Sequence, residues 1–314
     1  MGIKVLFVRS GNNGDDPISK NQGKSLLQSG LFLNYYDIVG KGVFGYLLNI
    51  NKLKKYIKIF QPDIIHAHYS FCGFISSLTF SGVPTGVSLM GSDVNNSDKF
   101  MKVLIKAFSK YLWAFTIVKS EEMYNRLNFD EAILLPNGVS FNDFYPLDIK
   151  IAREKLEWDL SFGNIIFASD PSRPEKNFKL AKQTLDLLEK KQIRFHLHFL
   201  KNILPSEMIF YYNAADLLLL TSDYEGSPNV IKEAMACNCP IVSTDVGDVK
   251  NIINNTDGCF ITSFDPVDIA DKIISAINFG KRTNGREHIS HLNSNIIAHK
   301  LLDLYEDVLN RRTK

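Results

Sequence analysis

Cysteine is scarce, with Cys72, Cys237, Cys239 and Cys259 the only four in 314 residues. That is too few for a disulfide framework in a chain of this length. Cys237-x-Cys239 has no matching Cys or His pair nearby to complete a zinc site. The four read as reduced, mostly buried thiols of a cytoplasmic protein. Excess charge is also missing: 36 Lys and Arg against 34 Asp and Glu leave a net +2, too little to imply a nucleic-acid partner. The longest apolar run, "YLWAFTIV" (111–118), falls far short of the ~20 residues that a membrane span needs. "MGIKVLFVRS" goes straight into a strand pattern, without a signal-peptide core. There is no internal repeat.

What is present is ordinary globular material, long enough for about two domains. Short β-branched runs alternate with segments of helical period, which argues for α/β architecture with parallel sheets. Strands are expected at 3–9, 63–69, 85–90, 115–118 and 132–136, and in a second series at 164–169, 194–200, 216–221, 240–244 and 259–262. Helices are expected at 47–60, 72–81, 97–111, 179–191, 206–214, 228–237 and 266–277, with an amphipathic one closing the chain at 294–312. The turn-rich "PNGVSFNDFYPLD" (136–148) separates the two series. The domains are therefore 1–142, a linker at 143–150, a second domain at 151–293 and a terminal helix at 294–314. Open parallel sheets bind ligands at the carboxyl ends of their strands, so two such domains facing each other would frame a cleft.

"NQGKS" (21–25) carries the Gly-Lys-Ser ending of a phosphate-binding loop, but the required earlier glycine is replaced by Ile18. The stronger signal is "EGSPNVIKE" (225–233), which follows an apolar strand. Ser227 stands at an N-cap position and Pro228 at the first helical one, so the helix would aim free N–H groups and its positive dipole at an anion. Glu225 precedes the helix and Glu233 lies on its second turn, placed for different parts of one elongated ligand. After the strand at 164–169, a turn carries Arg173 and Lys176, cations suited to a diphosphate. Either feature alone also fits a solvated helix start.

Together, Glu225 and Glu233, Arg173 and Lys176, "LPNGVSFNDFYP" and "DIIHAHY" occur in an order that resembles family 4 retaining glycosyltransferases, over nearly the whole chain. The resemblance implies the GT-B fold, two Rossmann-like doubly wound domains facing a central cleft, with a C-terminal helix crossing back. It implies an N-terminal domain for the acceptor and a C-terminal domain for a nucleotide-sugar. Glu233 would bind ribose hydroxyls and Glu225 the sugar beside its anomeric carbon. Arg173 and Lys176 would hold the diphosphate, and the stretch Gly226, Ser227, Pro228, Asn229 and Val230 would line the donor. Gly11 and Gly14 of the first loop would allow close backbone approach to the donor. Retention is ascribed in that family to same-face attack, with a donor phosphate oxygen taking the acceptor proton, so neither a metal nor a cofactor is expected. This chain departs from the pattern at Asp170, where many relatives carry the diphosphate arginine, and at Met90, where they often carry histidine.

His66 and His68 alternate on one strand and share a face. His68 is expected near the acceptor with Asp93, and His66 in a structural or supporting place. Lys52, Lys54, Lys55 and Lys58 load one helix of this domain and Lys99, Lys102, Lys106 and Lys110 another. Such helices suit either plain solvation or an anionic membrane surface. The expectation is peripheral attachment to the inner leaflet of the plasma membrane and a glycan or lipid-linked acceptor of surface polysaccharide, including lipopolysaccharide, biosynthesis. Two alternatives remain open: a non-catalytic sugar-nucleotide-binding partner subunit, and a GT-B-fold sugar-nucleotide epimerase or hydrolase.

Overall fold

The computed structural model describes residues 2–12, 16–95, 97–159 and 162–312. Contacts divide the chain into two units, Met1–Gly138 with Ser294–Lys314, and Val139–Asn293. The division falls ahead of the expected linker for a visible reason. The Val139 N–H donates to the Leu292 carbonyl at 2.9 Å, and Arg286 donates to the carbonyls of Phe141 and Phe144 at 3.0 and 2.5 Å. The stretch after Gly138 is thereby bound into the second unit.

The first unit holds a six-stranded parallel sheet of β1 (Lys4–Ser10), β2 (Phe32–Ile38), β3 (Ile64–His68), β4 (Thr85–Ser88), β5 (Phe115–Val118) and β6 (Ile133–Leu134), in the order β2-β1-β3-β4-β5-β6. Sequence periodicity does not reveal β2. Its "FLNYYDI" carries Asn34 and Asp37 and pairs on one side only, so it needs no unbroken apolar run. Alternation then sorts the side chains. Leu6, Val8, Ile65, Ala67 and Val87 pack in one core with Leu53, Phe74 and Ile105, under the helices Ile50–Phe60, Ser70–Leu78 and Lys99–Tyr111. Phe7, His66 and Phe115 face the opposite way, where the ring of Tyr305 from the helix Ser294–Arg312 meets His66 and Phe115. The helix expected at 47–60 runs Ile50–Phe60, and a separate short one, Gly42–Leu47, precedes it.

The Gly-Lys-Ser segment lies inside the helix Pro17–Gln28 and forms no phosphate loop. Its Gly23 serves packing instead, since a Cβ there would run into the Tyr35 hydroxyl of β2.

The second unit holds β7 (Gly163–Phe167), β8 (Phe195–Phe199), β9 (Leu217–Leu220), β10 (Ile241–Thr244) and β11 (Cys259–Thr262), parallel in the order β11-β10-β9-β7-β8. Ile165, Phe167, Leu217, Leu219 and Val242 pack under the helices Phe178–Lys190 and Pro266–Phe279. Winding reverses between β7 and β9, and in the first sheet between β1 and β3. Ligand sites of open α/β sheets form at such reversals, beyond the carboxyl ends of the strands.

Candidate functional site

The loops that follow β7 and β9 both carry residues expected at the donor, and backbone contacts stitch them together. Asp223 N–H donates to the Glu175 carbonyl at 3.0 Å. Thr221 Oγ1 donates to the carbonyls of Lys176 and Asn177 at 3.0 and 3.1 Å. Asn177 takes the left-handed conformation at φ 49 and caps the helix Phe178–Lys190 by accepting from Leu180 N–H. Its Nδ2 also donates to Asp223 Oδ1 at 2.7 Å. Lys176 closes the short 3-10 turn Pro174–Lys176 and is thus fixed from both loops.

The result is a short ion pair. Lys176 Nζ lies 2.5 Å from Glu225 Oε1, with side chains only 10% and 15% exposed. Ser222 Oγ donates to the same carboxylate oxygen at 2.7 Å. Charges this shielded from water interact far more strongly than surface pairs. Arg173 is not drawn into the cluster. Its side chain is 55% exposed and its guanidinium bonds Glu175 Oε1 at 2.5 Å.

Glu233 lies on the helix Asn229–Ala236, where burial raises its carboxyl above the usual range and the hydroxyl of Tyr212, donating at 2.6 Å, opposes that rise. The helix starts one residue later than expected. Pro228 occupies the N-cap position with no side-chain cap, while Ser227 donates its hydroxyl to Asp248 Oδ2 at 2.5 Å and accepts from Lys232 Nζ at 2.5 Å. Ser227 is therefore not a cap but the middle of a buried polar chain. Pro228 is buried, Gly226 and Val230 are partly so, and Asn229 Oδ1 is shielded from solvent and unpartnered.

The first unit's candidates gather at the β1–β3 reversal. His66 is enclosed, its Nδ1 2.6 Å from Tyr305 Oη and its Nε2 2.8 Å from Ser88 Oγ. Burial first, then the charges of His68 and Lys119, push its pKa well below the ordinary value. His68 stacks on it with centroids 4.6 Å apart, is lowered to about 3 by burial and then by Lys119 and Arg9, and leaves Nε2 buried without a partner. Asp93 works as a staple between loops. Its Oδ1 accepts from Ser70 N and Oγ at 3.0 and 2.5 Å, and its Oδ2 from Met90 N at 2.5 Å. Burial lifts its pKa to about 6 against those bonds. Gly11 donates its N–H to the Ile38 carbonyl at 2.8 Å, extending β1 along β2. Gly14 lies outside the described residues.

Tyr212, Lys232 and Asp248 escape the sequence reading. Lys232 sits inside the quoted "EGSPNVIKE" with nothing in the local pattern to single it out, and only the fold brings Asp248 to it.

Residues 165–278 match the family described as Glycosyl transferases group 1, and residues 18–120 match Glycosyl transferase 4-like. A putative teichuronic acid biosynthesis glycosyltransferase of Bacillus subtilis is 28% identical over 222 residues, 61% of this chain and 55% of that protein. The chain thus matches about half the length of that relative. An uncharacterized glycosyltransferase of Methanocaldococcus jannaschii is 27% identical over 261 residues, 74% of this chain and 71% of its own. Among solved structures, sucrose-phosphate synthase from Thermosynechococcus elongatus superposes with a TM-score of 0.76 at 18% identity, covering 98% of this chain and 100% of that one. Anabaena HepE in complex with UDP gives 0.74 at 14%, covering 97% and 100%. With two Rossmann-like parallel-sheet units and a family match in each, the chain belongs to the group 1 and 4-like glycosyltransferases of GT-B fold.

Proposed function

We propose that the chain moves a sugar from a nucleotide-diphosphate sugar to a glycan or lipid-linked acceptor, with retention and without a metal ion. The observation that carries this reading is the buried Lys176–Glu225 pair at the reversal of the second sheet, beside the start of the Glu233 helix. Glu225 holds sugar hydroxyls next to the anomeric carbon and Glu233 the ribose hydroxyls. Lys176, and Arg173 once turned from Glu175, take the diphosphate. As the bond from anomeric carbon to phosphate oxygen breaks, the acceptor oxygen bonds that carbon from the same face. The acceptor proton passes to a donor phosphate oxygen. Preorganised cations stabilise the departing diphosphate, an effect that can supply several kcal/mol. Gly226, Asn229 and Val230 line the donor, and His68 serves the acceptor. Solved HepE with UDP-glucose supports a sugar-nucleotide donor. The teichuronic acid relative supports surface polysaccharide as product.

Incubation with UDP-, GDP- and ADP-sugars and a lipid-linked acceptor tests the reading. Transfer lost in Glu225→Ala is the expected result, and unchanged turnover in that variant would defeat it. Donor hydrolysis or epimerisation without transfer would move the assignment to that chemistry.

We further propose peripheral attachment of the first unit to the cytoplasmic face of a membrane. No helix among the described residues is long and apolar enough to cross one. Phe44 and Leu48 are 85% and 75% exposed, and the lysine-bearing helices Ile50–Phe60 and Lys99–Tyr111 cover the same face of the sheet. Apolar side chains among lysines suit an anionic lipid surface. Cosedimentation with phosphatidylglycerol vesicles at low salt, lost in Phe44→Ser/Leu48→Ser, is expected. Failure of the native protein to pellet would overturn the attachment.

A further inference from the structure

The helix that carries Glu233 begins without a side-chain cap, and a buried ionic chain stands beside its start. Lys232 is wholly shielded from solvent. Its ammonium donates to Ser227 Oγ, and that hydroxyl donates to Asp248 Oδ2, each at 2.5 Å. A serine hydroxyl has one proton and two lone pairs, so it passes the interaction from cation to anion without a mismatch. Burial lowers the Lys232 pKa, while the charges of Asp248 and Glu233 oppose that fall. Burial likewise raises Asp248, and Lys232 is the largest influence pulling it back. Neither charge is tolerable in this interior without the other.

A second contact joins the same two segments. Gly247 is left-handed at φ +59, and a Cβ there would lie 2.7 Å from the Gly226 carbonyl oxygen and 3.1 Å from that of Glu225. The turn holding Asp248 therefore rests directly on the backbone of the Glu225 loop. The sugar-side loop is gripped by the ionic chain at Ser227 and by close backbone contact at Glu225 and Gly226.

We infer that Lys232 is a positioning residue which, through Ser227 and Asp248, clamps the Glu225–Pro228 loop onto the Gly247 turn and sets the pose in which that loop meets the donor. The inference deepens the donor-site reading and rests on it. Lys232, wholly shielded from solvent, acts through Ser227 and Asp248.

The test follows hydrogen exchange across residues 222–231 of the full chain, alongside calorimetric titration with UDP, GDP and ADP. The variants are Lys232→Met, Ser227→Ala and Lys232→Met/Asp248→Asn. Lys232→Met is expected to speed exchange in 222–231 alone and to weaken the bound nucleotide by about tenfold. In transfer assays its donor KM rises more than kcat falls. The double variant, which removes the ammonium and the Asp248 carboxylate together, recovers most of the loop protection. Ser227→Ala keeps both charges and loosens the same loop, so it answers the question should Lys232→Met fail to fold. Unchanged loop exchange, or nucleotide affinity within about twofold of native, would overturn the clamp. So would faster exchange spread through the whole unit with KM and kcat unmoved, the mark of a purely structural pair. A native protein that binds none of the three nucleotides sinks the donor-site reading instead, while loop exchange still decides the clamp.

Discussion

At the reversal of the first sheet, between β1 and β3, two neutral imidazoles, His66 and His68, stack between the strand ends. At the reversal of the second, between β7 and β9, lysines meet carboxylates, Lys176 on Glu225 directly and Lys232 on Asp248 through a hydroxyl. The winding is alike, so the fold does not dictate the chemistry placed on it. The first reversal keeps its titratable rings uncharged by burial and like-charge neighbours. The second keeps opposite charges dry and close, arranged before any substrate arrives, which is the condition under which electrostatics helps a charge-separating reaction.

Removing charge from the second reversal should give the largest effect. Lys176→Met is expected to lower transfer on the order of 10²–10³-fold, read by steady-state assay with the preferred donor. A loss of less than about fivefold would mean that the diphosphate is held elsewhere. Acid should distinguish the two reversals next. The unfolded chain gains protons on His66 and His68 near pH 6.5, while the folded chain holds His68 neutral down to about 3 and His66 well below its ordinary value. First-unit stability therefore falls as pH drops from about 6.5, by ~1.4 kcal/mol per unit for each proton. Asp93, raised to about 6, binds its proton earlier in the folded state and opposes one of the two between pH 4 and 6. Hydrogen exchange of β1 and β3 at pH 7 and pH 5 reads the net loosening. Equal protection at both values would disprove the buried neutral pair.

A smaller loss follows from Tyr305→Phe, which strands His66 Nδ1 in the interior. About 1–3 kcal/mol of first-unit stability should go, with nucleotide binding to the second unit unchanged by calorimetry. Last is Gly247→Ala, whose left-handed conformation alone costs about 1–2 kcal/mol and whose Cβ also presses on the Gly226 carbonyl oxygen. It should weaken nucleotide binding while β1 and β3 keep their exchange protection. Loosening of both units by this one substitution would dissolve the contrast drawn between them.

Much of this was legible beforehand. "LLLL" and "FTIV" are buried strands, in keeping with short apolar runs too brief for a helix, and Glu225, Lys176 and Glu233 follow strand ends where parallel sheets place ligands. The β2 edge was not, because a strand paired on one side tolerates Asn34 and Asp37. Nor was the part played by Ser227. Ser-Pro before an apolar helix spells a cap by local rules, but Lys232, five residues on, donates to the hydroxyl oxygen that a cap would offer to the helix, while Asp248 takes its proton. The pairing of Arg173 with Glu175, two residues away, is likewise not announced by the local pattern.

Tyr305 also bears on the order of events during synthesis. The first unit is discontinuous in the chain, and its core takes a ring and a hydroxyl from the helix Ser294–Arg312. Whatever the first 138 residues form as they leave the ribosome, His66 stays without that partner until the entire second unit has been made. The amino-terminal half begins first and finishes last.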